Sequence, residues 1–231
     1  METLEQVNRE GRERLYPSLA NPSWLILRKR REIFRKWLAG VDKQELNVLD
    51  VGGRIQPYRS LLQDRLRSYI AIDVIKTPLV SIVARAEQIP LASSQFDLVI
   101  CSQVLEYVFD PTVVIAEVHR VLKPGGCCIL SVPSVWPRDA AEEYWRFLPA
   151  VLRGLLSAFS DVEVVAEGGT ITGFFRTMNA CVDIFVRYPV LRWFFRRTLC
   201  PLINLLGALL ENIGGSDNDQ FAANFSVRAL R

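Results

Sequence analysis

A chain of 231 residues, half of them apolar, is long enough for one substantial core and too short for two full-sized domains. Its formal charge of +3 is near balance, and no basic stripe interleaved with aromatics runs along it, which argues against a nucleic-acid partner. Cys101, Cys127, Cys128, Cys181 and Cys200 lie in apolar runs without metal-ligand or paired spacing, so neither a disulfide framework nor a metal site is expected.

Residues 1–45 read as a charged helical extension, with Trp24, Leu27, Ile33, Phe34, Trp37 and Leu38 near helical spacing. The opening METLEQVNREGRERL has no apolar signal core, so a cytoplasmic location is expected. The basic run Arg28–Arg31 reads as a solvated helix face. From residue 46 to 133 short apolar runs alternate with helical patterns. The strand candidates are Leu46–Val51, Tyr69–Asp73, Leu79–Val83, Phe96–Cys101 and Cys127–Val132; helices are expected over Tyr58–Leu66 and Pro111–Leu122. Strands that are apolar throughout are buried on both faces, as in a parallel sheet covered by helices, so this alternation predicts a doubly wound α/β sheet. One more helix and a strand, Val162–Ala166, follow. A helical insertion is expected over 170–220, and Phe221–Leu230 supplies a last strand.

In such sheets ligands bind outside the carboxyl ends of the strands. The first strand ends in Asp50-Val51-Gly52-Gly53, where glycine lets a ligand approach the backbone and a following helix would aim its amides at it. The second ends at Asp73, about twenty residues on, where a carboxylate can accept both hydroxyls of a ribose. These two features alone fit many nucleotide-binding folds.

Three further segments follow in order: Arg85-Ala86-Glu87-Gln88-Ile89-Pro90; Phe96-Asp97-Leu98-Val99 leading into Ser102-Gln103; and Leu122-Lys123-Pro124-Gly125-Gly126. Together with the glycine loop and Asp73 they resemble the class I S-adenosylmethionine (SAM)-dependent methyltransferases, of the type 11-like group. The resemblance covers residues 46–133 well and 143–164 more loosely. It implies a Rossmann-like seven-stranded sheet, mostly parallel with an antiparallel last strand, in a SAM-binding domain spanning 46–231. It also implies that Asp50, Gly52 and Gly53 line the methionine end of SAM, and that Asp73 holds the ribose beside Val74. Ala86 and Glu87 would meet the adenine, Ser102 and Gln103 would lie under the sulfonium, and Leu122–Gly126 would be structural, a helix end and turn to which His119 just before it also belongs. Arg54 stands where the family's second loop glycine falls; it either points away from the sulfonium or pairs with the cofactor carboxylate.

An oxygen nucleophile would need a base, and Glu106, Tyr107, Glu143 and Tyr144 fall near the expected mouth without one standing out. No catalytic residue is assigned. Tyr107, Tyr144 and Arg146 are taken as acceptor-pocket residues, Arg146 as the partner of an anionic acceptor. Methyltransferases of this kind act on small molecules, sugars and lipid-linked glycans, which are the acceptor classes expected here, with methylation at oxygen. The rival reading is a catalytically inactive methyltransferase fold serving as a scaffold.

Residues 174–213 pair many aromatics and leucines with Arg176, Arg187, Arg192, Arg196 and Arg197 against only Asp183 and Glu211. No apolar run reaches the roughly 18–20 residues of a membrane span. A lid over the acceptor, a dimer contact, or a peripheral contact with anionic lipid at the inner face of a membrane remain open.

Overall fold

The computed structural model describes residues 2–231 apart from Asp42, Asp139 and Ser216, and their side chains other than those of Gln63 and Asp183. The apolar runs become strands β1 (Leu46–Val51), β2 (Leu66–Asp73), β3 (Ile82–Val83), β4 (Phe96–Ser102) and β5 (Leu122–Pro133), followed by β6 (Ser160–Ala166) and β7 (Asn224–Leu230). They form one seven-stranded sheet in the order β3-β2-β1-β4-β5-β7-β6. The first five strands pair in parallel, and β7 runs antiparallel between β5 and β6. This is the doubly wound Rossmann-like sheet expected, with the last strand reversed.

Each face of the sheet is closed by a different set of helices. Alternate residues of β1, β4 and β5 (Leu49, Val51, Val99, Cys101, Cys128, Leu130) pack with α3 (Pro111–Val121) and α4 (Pro149–Leu155). The other alternation, Val48, Leu98, Ile100, Cys127 and Ile129, packs with Phe34, Trp37 and Leu38 of α2 (Trp24–Ala39) and Leu15 of α1 (Leu4–Leu15). The period of two in the strands is what lets one sequence serve both cores.

The expected helix over Tyr58–Leu66 is not formed. Two 3₁₀ turns, Arg59–Leu61 and Gln63–Arg65, stand there, and β2 starts three residues early at Leu66. Gln56 precedes Pro57, which disfavours helical backbone, and Gln56 adopts φ 44°. The layer such a helix would fill is taken by α2: Phe34 is fully buried with its ring 4.5 Å from that of Tyr58. The N-terminal helices thus close the second face of the sheet.

Other boundaries shift for local reasons. Leu122 already belongs to β5, opposite Phe96, and the ladder resumes at Leu98 opposite Cys127, so Lys123–Gly126 bulge out around Asp97. The Asp97 carboxylate accepts from Lys43, Lys123 and the Asn47 amide. Burial pushes its pKa up, but these donors prevail and hold it down at about 2. His119, in the last turn of α3, packs edge-on against Phe159 with ring centroids 5.0 Å apart, a structural place away from the strand ends.

The insertion forms α5 (Thr170–Phe185), α6 (Pro189–Arg197) and α7 (Leu199–Gly214). Pro189 opens α6 and Pro201 sits in the first turn of α7, where a missing N–H costs nothing. Much of the attachment of α7 is polar. Buried Glu211 accepts the Gly169 and Thr172 amides at the start of α5, and buried Asn204 donates to the carbonyls of Leu19 and Asn21. Phe195, Cys200 and Ala208 are buried, but many apolar side chains of α6 and α7 turn outward. Trp193, Phe194, Leu202, Leu205, Leu206, Leu209 and Ile213 are exposed, with Ile213 75% accessible. Among the described residues no helix is long and apolar enough to cross a membrane.

Candidate functional site

A cavity of about 760 Å³ opens where β1, β2, β4 and β5 end. That size suits a cofactor-sized ligand. Asp50, Gly52, Arg54, Asp73, Val74, Ala86, Glu87, Ser102, Gln103 and Tyr107 all line it. Of the residues expected there, Gly53, Tyr144 and Arg146 do not.

The glycine loop is tight. Gly52 has φ +76°, and a Cβ there would lie 2.3 Å from Val104 Cγ2, so a side chain is excluded both by backbone and by space. A Cβ on Gly53 would meet Asp50 Cγ at 2.8 Å and Ala71 Cβ at 2.9 Å, which puts Gly53 under the loop as packing. Both amides donate to the Ile72 carbonyl, at 2.9 and 3.1 Å, so the turn is tied to β2 and no helix follows to aim further amides at a ligand.

Asp50 is 4% exposed and accepts a 2.6 Å hydrogen bond from the Tyr69 hydroxyl. Burial dominates its titration and raises its pKa to about 7; the Tyr69 bond opposes the shift and the Asp73 charge adds to it. This carboxyl lacks positive charge, which a cationic ligand would supply. Asp73 is half-buried and accepts the Ile75 amide at 2.8 Å through Oδ1. The Arg54 guanidinium donates to Glu2, before α1, at 2.8 Å and to Glu10, on α1, at 2.5 Å. Glu87 is bound by Arg85 at 2.6 Å. Gln103 adopts φ 58°, an uncommon conformation for a side-chain-bearing residue, held by its amide to the Ser131 carbonyl at 2.8 Å.

Arg146 is committed elsewhere. Its guanidinium donates to the carbonyls of Trp136, Pro137 and Trp145 and to Glu143, so it staples the loop after β5. Tyr144 packs edge-on against Phe109 outside the cavity.

The sequence reading missed several lining residues: Arg14, Arg30, Trp136 and Arg176. Arg30 corrects the solvated-face reading of Arg28–Arg31. It is 1% exposed, and its Nε donates to Glu167 at 2.8 and 2.9 Å. The signal was available, since Arg30 lies four residues from both Ile26 and Phe34 and therefore shares their inward face. Glu106 stands out from the four acids and tyrosines at the mouth. It is 2% exposed, lines the cavity, and its Oε2 meets no hydrogen-bond donor among the described residues. Burial raises its pKa to about 7, with Arg30 and Arg14 pulling the other way.

An open α/β sheet with a glycine turn after β1 and an acid ending β2 is the arrangement of nucleotide-binding α/β folds. Residues 49–130 match the family described as methyltransferase domain. Among similar curated proteins, a ubiquinone biosynthesis O-methyltransferase of Pseudomonas paraeruginosa is 40% identical over 67 residues, 29% of this chain and 26% of that one. A ubiquinone/menaquinone biosynthesis C-methyltransferase of Desulfotalea psychrophila is 45% identical over 107 residues, 45% of this chain and 43% of that one. The chain spans less than half the length of these curated relatives. A SAM-dependent methyltransferase from Archaeoglobus fulgidus shares the fold, with TM-score 0.55 at 14% identity over 95% of this chain and 97% of that one. Over residues 49–130, about a third of its length, the chain is similar to the methyltransferase domain family, whose cofactor is SAM, and it shares the fold of a SAM-dependent methyltransferase.

The site suits that cofactor. Two carboxyls, Asp50 and Asp73, face a cavity in which a sulfonium and an ammonium would be neutralised, and the missing Cβ of Gly52 leaves room beside the first of them.

Proposed function

We propose that this protein transfers a methyl group from SAM to an oxygen of a small-molecule, sugar or lipid-linked acceptor. The observation that carries this reading is one cavity lined together by Asp50, Gly52, Asp73 and buried Glu106. SAM supplies an activated methyl group, so the chain mainly has to orient and to manage one proton. Asp73 holds the ribose hydroxyls beside Val74, Asp50 faces the methionine end, Ala86 and Glu87 border the adenine, and Ser102 and Gln103 lie beneath the sulfonium. Gly53 supports the loop from below, and Arg54 pins it to α1. Glu106 accepts the acceptor's proton. Tyr107 belongs to the rim of the acceptor side. The helical extension 1–45 and the insertion 170–220 belong to the same SAM-binding unit.

The test is calorimetric titration with SAM and with S-adenosylhomocysteine. Micromolar binding is expected, weakened at least tenfold by Asp73→Ala, since a charged hydrogen-bond pair contributes about 1.5–3 kcal/mol. A folded wild-type protein that binds neither ligand would leave the inactive scaffold as the reading.

The outward apolar band on α6 and α7 favours a second element of function: contact with an anionic lipid surface. Trp193, Phe194 and the leucines of α7 are exposed beside exposed Arg187, Arg196 and Arg197, and so large an apolar surface marks an interaction site. In flotation with vesicles containing anionic lipid the protein is expected to rise with the lipid. Trp193→Ser with Arg196→Glu should keep it at the bottom of the gradient. Wild-type protein that stays wholly soluble rules the contact out.

A further inference from the structure

The Asp50 carboxyl fills a slot left by two small residues. A Cβ on Gly53 would lie 2.8 Å from Asp50 Cγ and 2.9 Å from Ala71 Cβ, so any larger residue at Gly53 would press on the carboxyl. Asp50 is 4% exposed and lines the cavity. Tyr69 of β2 holds it, its hydroxyl donating to Oδ2 at 2.6 Å. The strand register explains this reach. In the parallel β1–β2 pair Asp50 stands opposite Ala71 and Val48 opposite Tyr69, so Tyr69 shares the face of Asp50 but lies two residues back along its strand. Two residues span about 6.6 Å at ordinary strand rise, a distance that a phenol bridges and a serine or threonine hydroxyl does not.

Tyr69 is half-buried and does not itself line the cavity, so it acts on a ligand there only through Asp50. Its hydroxyl keeps its proton. Burial first, and then the Asp50 charge, push its titration up, and the Arg59 guanidinium 5.3 Å from its ring opposes them less. The bond from Tyr69 in turn favours the charged form of Asp50, against burial and the charge of Asp73. The other titratable neighbours are Cys101 of β4, beside Asp50, and Tyr58, beside Tyr69. Glu10 and Arg14 of α1, Arg30 of α2 and Glu106 share the cavity with Asp50. A buried carboxylate fixed through one oxygen suits a cation that donates hydrogen bonds, such as an ammonium.

We propose that Tyr69 is a positioning residue of the cofactor site, fixing the Asp50 carboxylate for the ammonium at the methionine end of SAM. The proposal rests on the methyltransferase reading above and adds to it a residue outside the cavity. Without the hydroxyl, Asp50 is left to burial and to Asp73, both of which favour its protonated form. Tyr69→Phe should therefore weaken an ammonium-bearing ligand at and below the pH where Asp50 titrates, and little above it.

The full chain is titrated calorimetrically at pH 6, 7 and 8.5 with S-adenosylhomocysteine, which carries the ammonium, and with 5′-methylthioadenosine, which lacks the amino-acid chain. For an Asp50 titration moved up by about one unit, Tyr69→Phe weakens S-adenosylhomocysteine about tenfold at pH 6, about fivefold at pH 7 and less than about twofold at pH 8.5. Affinity for 5′-methylthioadenosine should stay within about twofold throughout, and Tyr69→Phe should add nothing in an Asp50→Asn background. A loss that is equal at all three pH values, or shared by 5′-methylthioadenosine, would mean that Tyr69 only supports the fold, and overturns the proposal; so does no loss at all. Should Tyr69→Phe not fold, ¹³C-carboxyl titration of the wild type decides. S-adenosylhomocysteine must then move the Asp50 titration to lower pH and 5′-methylthioadenosine must leave it in place; an Asp50 that responds to neither or equally to both overturns the proposal. A folded wild type that binds neither nucleoside overturns the methyltransferase reading together with this assignment, whereas binding of both with no pH-dependent loss in Tyr69→Phe overturns this assignment alone.

Discussion

Glu167→Ala is expected to lower the unfolding free energy by about 3–5 kcal/mol, the cost of leaving one member of a buried ion pair without its partner. Glu167 is fully buried, and its Oε1 accepts from Arg30 Nε at 2.8 Å, Ser131 Oγ at 2.5 Å and Ser226 Oγ at 2.7 Å. One carboxylate therefore ties α2 to the neighbouring strands β5 and β7. Burial alone would lower the pKa of Arg30, and the Glu167 charge and hydrogen bond raise it; without Glu167 the pKa falls, but arginine is so strongly basic that the guanidinium stays charged. In the variant a full cation would remain among apolar neighbours beside two hydroxyls that have lost their acceptor. Urea denaturation followed by circular dichroism gives the check, as a fall in midpoint at constant slope. The double variant Arg30→Met with Glu167→Leu should recover most of the loss, because it removes both charges and fills similar volume. A single variant within about 1 kcal/mol of wild type would mean that water or the cavity screens the pair.

Arg30 also shows which parts of the site the sequence could disclose. Residues whose role follows from chain-local rules were legible: β1 and β4 announce themselves as unbroken apolar runs, and Gly52 and Asp73 end strands at the switch of a doubly wound sheet. The family pattern lies in the same stretch, so fold and cofactor class could be read together from residues 49–130. The helix expected after β1 was misread because a helix must both suit its own residues and have a face to bury. Pro57 weakens the first condition, and α2 removes the second by occupying that face. Arg14, Arg30, Trp136 and Arg176 were not assigned because they reach the cavity from α1, α2, the loop after β5, and α5, joined only by tertiary packing. Arg146 was misplaced for the converse reason. An arginine among aromatics suggests a ligand contact, yet three backbone carbonyls claim it in the folded chain. Charge in a sequence has no direction until the partner across the fold is known.

Glu106→Gln is expected to lower turnover by about 10²- to 10⁴-fold, the range for removing a general base. Its carboxyl suits that role by place and by affinity for protons: it is 2% exposed, lines the cavity just beyond Ser102 and Gln103, and leaves Oε2 without a donor. A base must be ionised to act. With a pKa raised by burial to about 7, Glu106 is mostly neutral at pH 6 and mostly charged at pH 8. In the free protein kcat/KM for SAM should therefore climb about tenfold per unit below pH 7 and level off above it. Binding SAM places a cation nearby and favours the ionised form, so the kcat profile should bend at lower pH than the kcat/KM profile. Glu106→Asp should recover part of the rate and keep the acidic limb, whereas Glu106→Gln should lose the limb. These profiles require the acceptor, but the carboxyl itself can be titrated without one. In ¹³C-labelled protein, a glutamate titrating near pH 7 that vanishes in Glu106→Gln would establish the group. A Glu106 that titrates in the ordinary range near 4 would make it a fixed charge facing Arg14 and Arg30, and the base would have to be sought on the acceptor or in solvent.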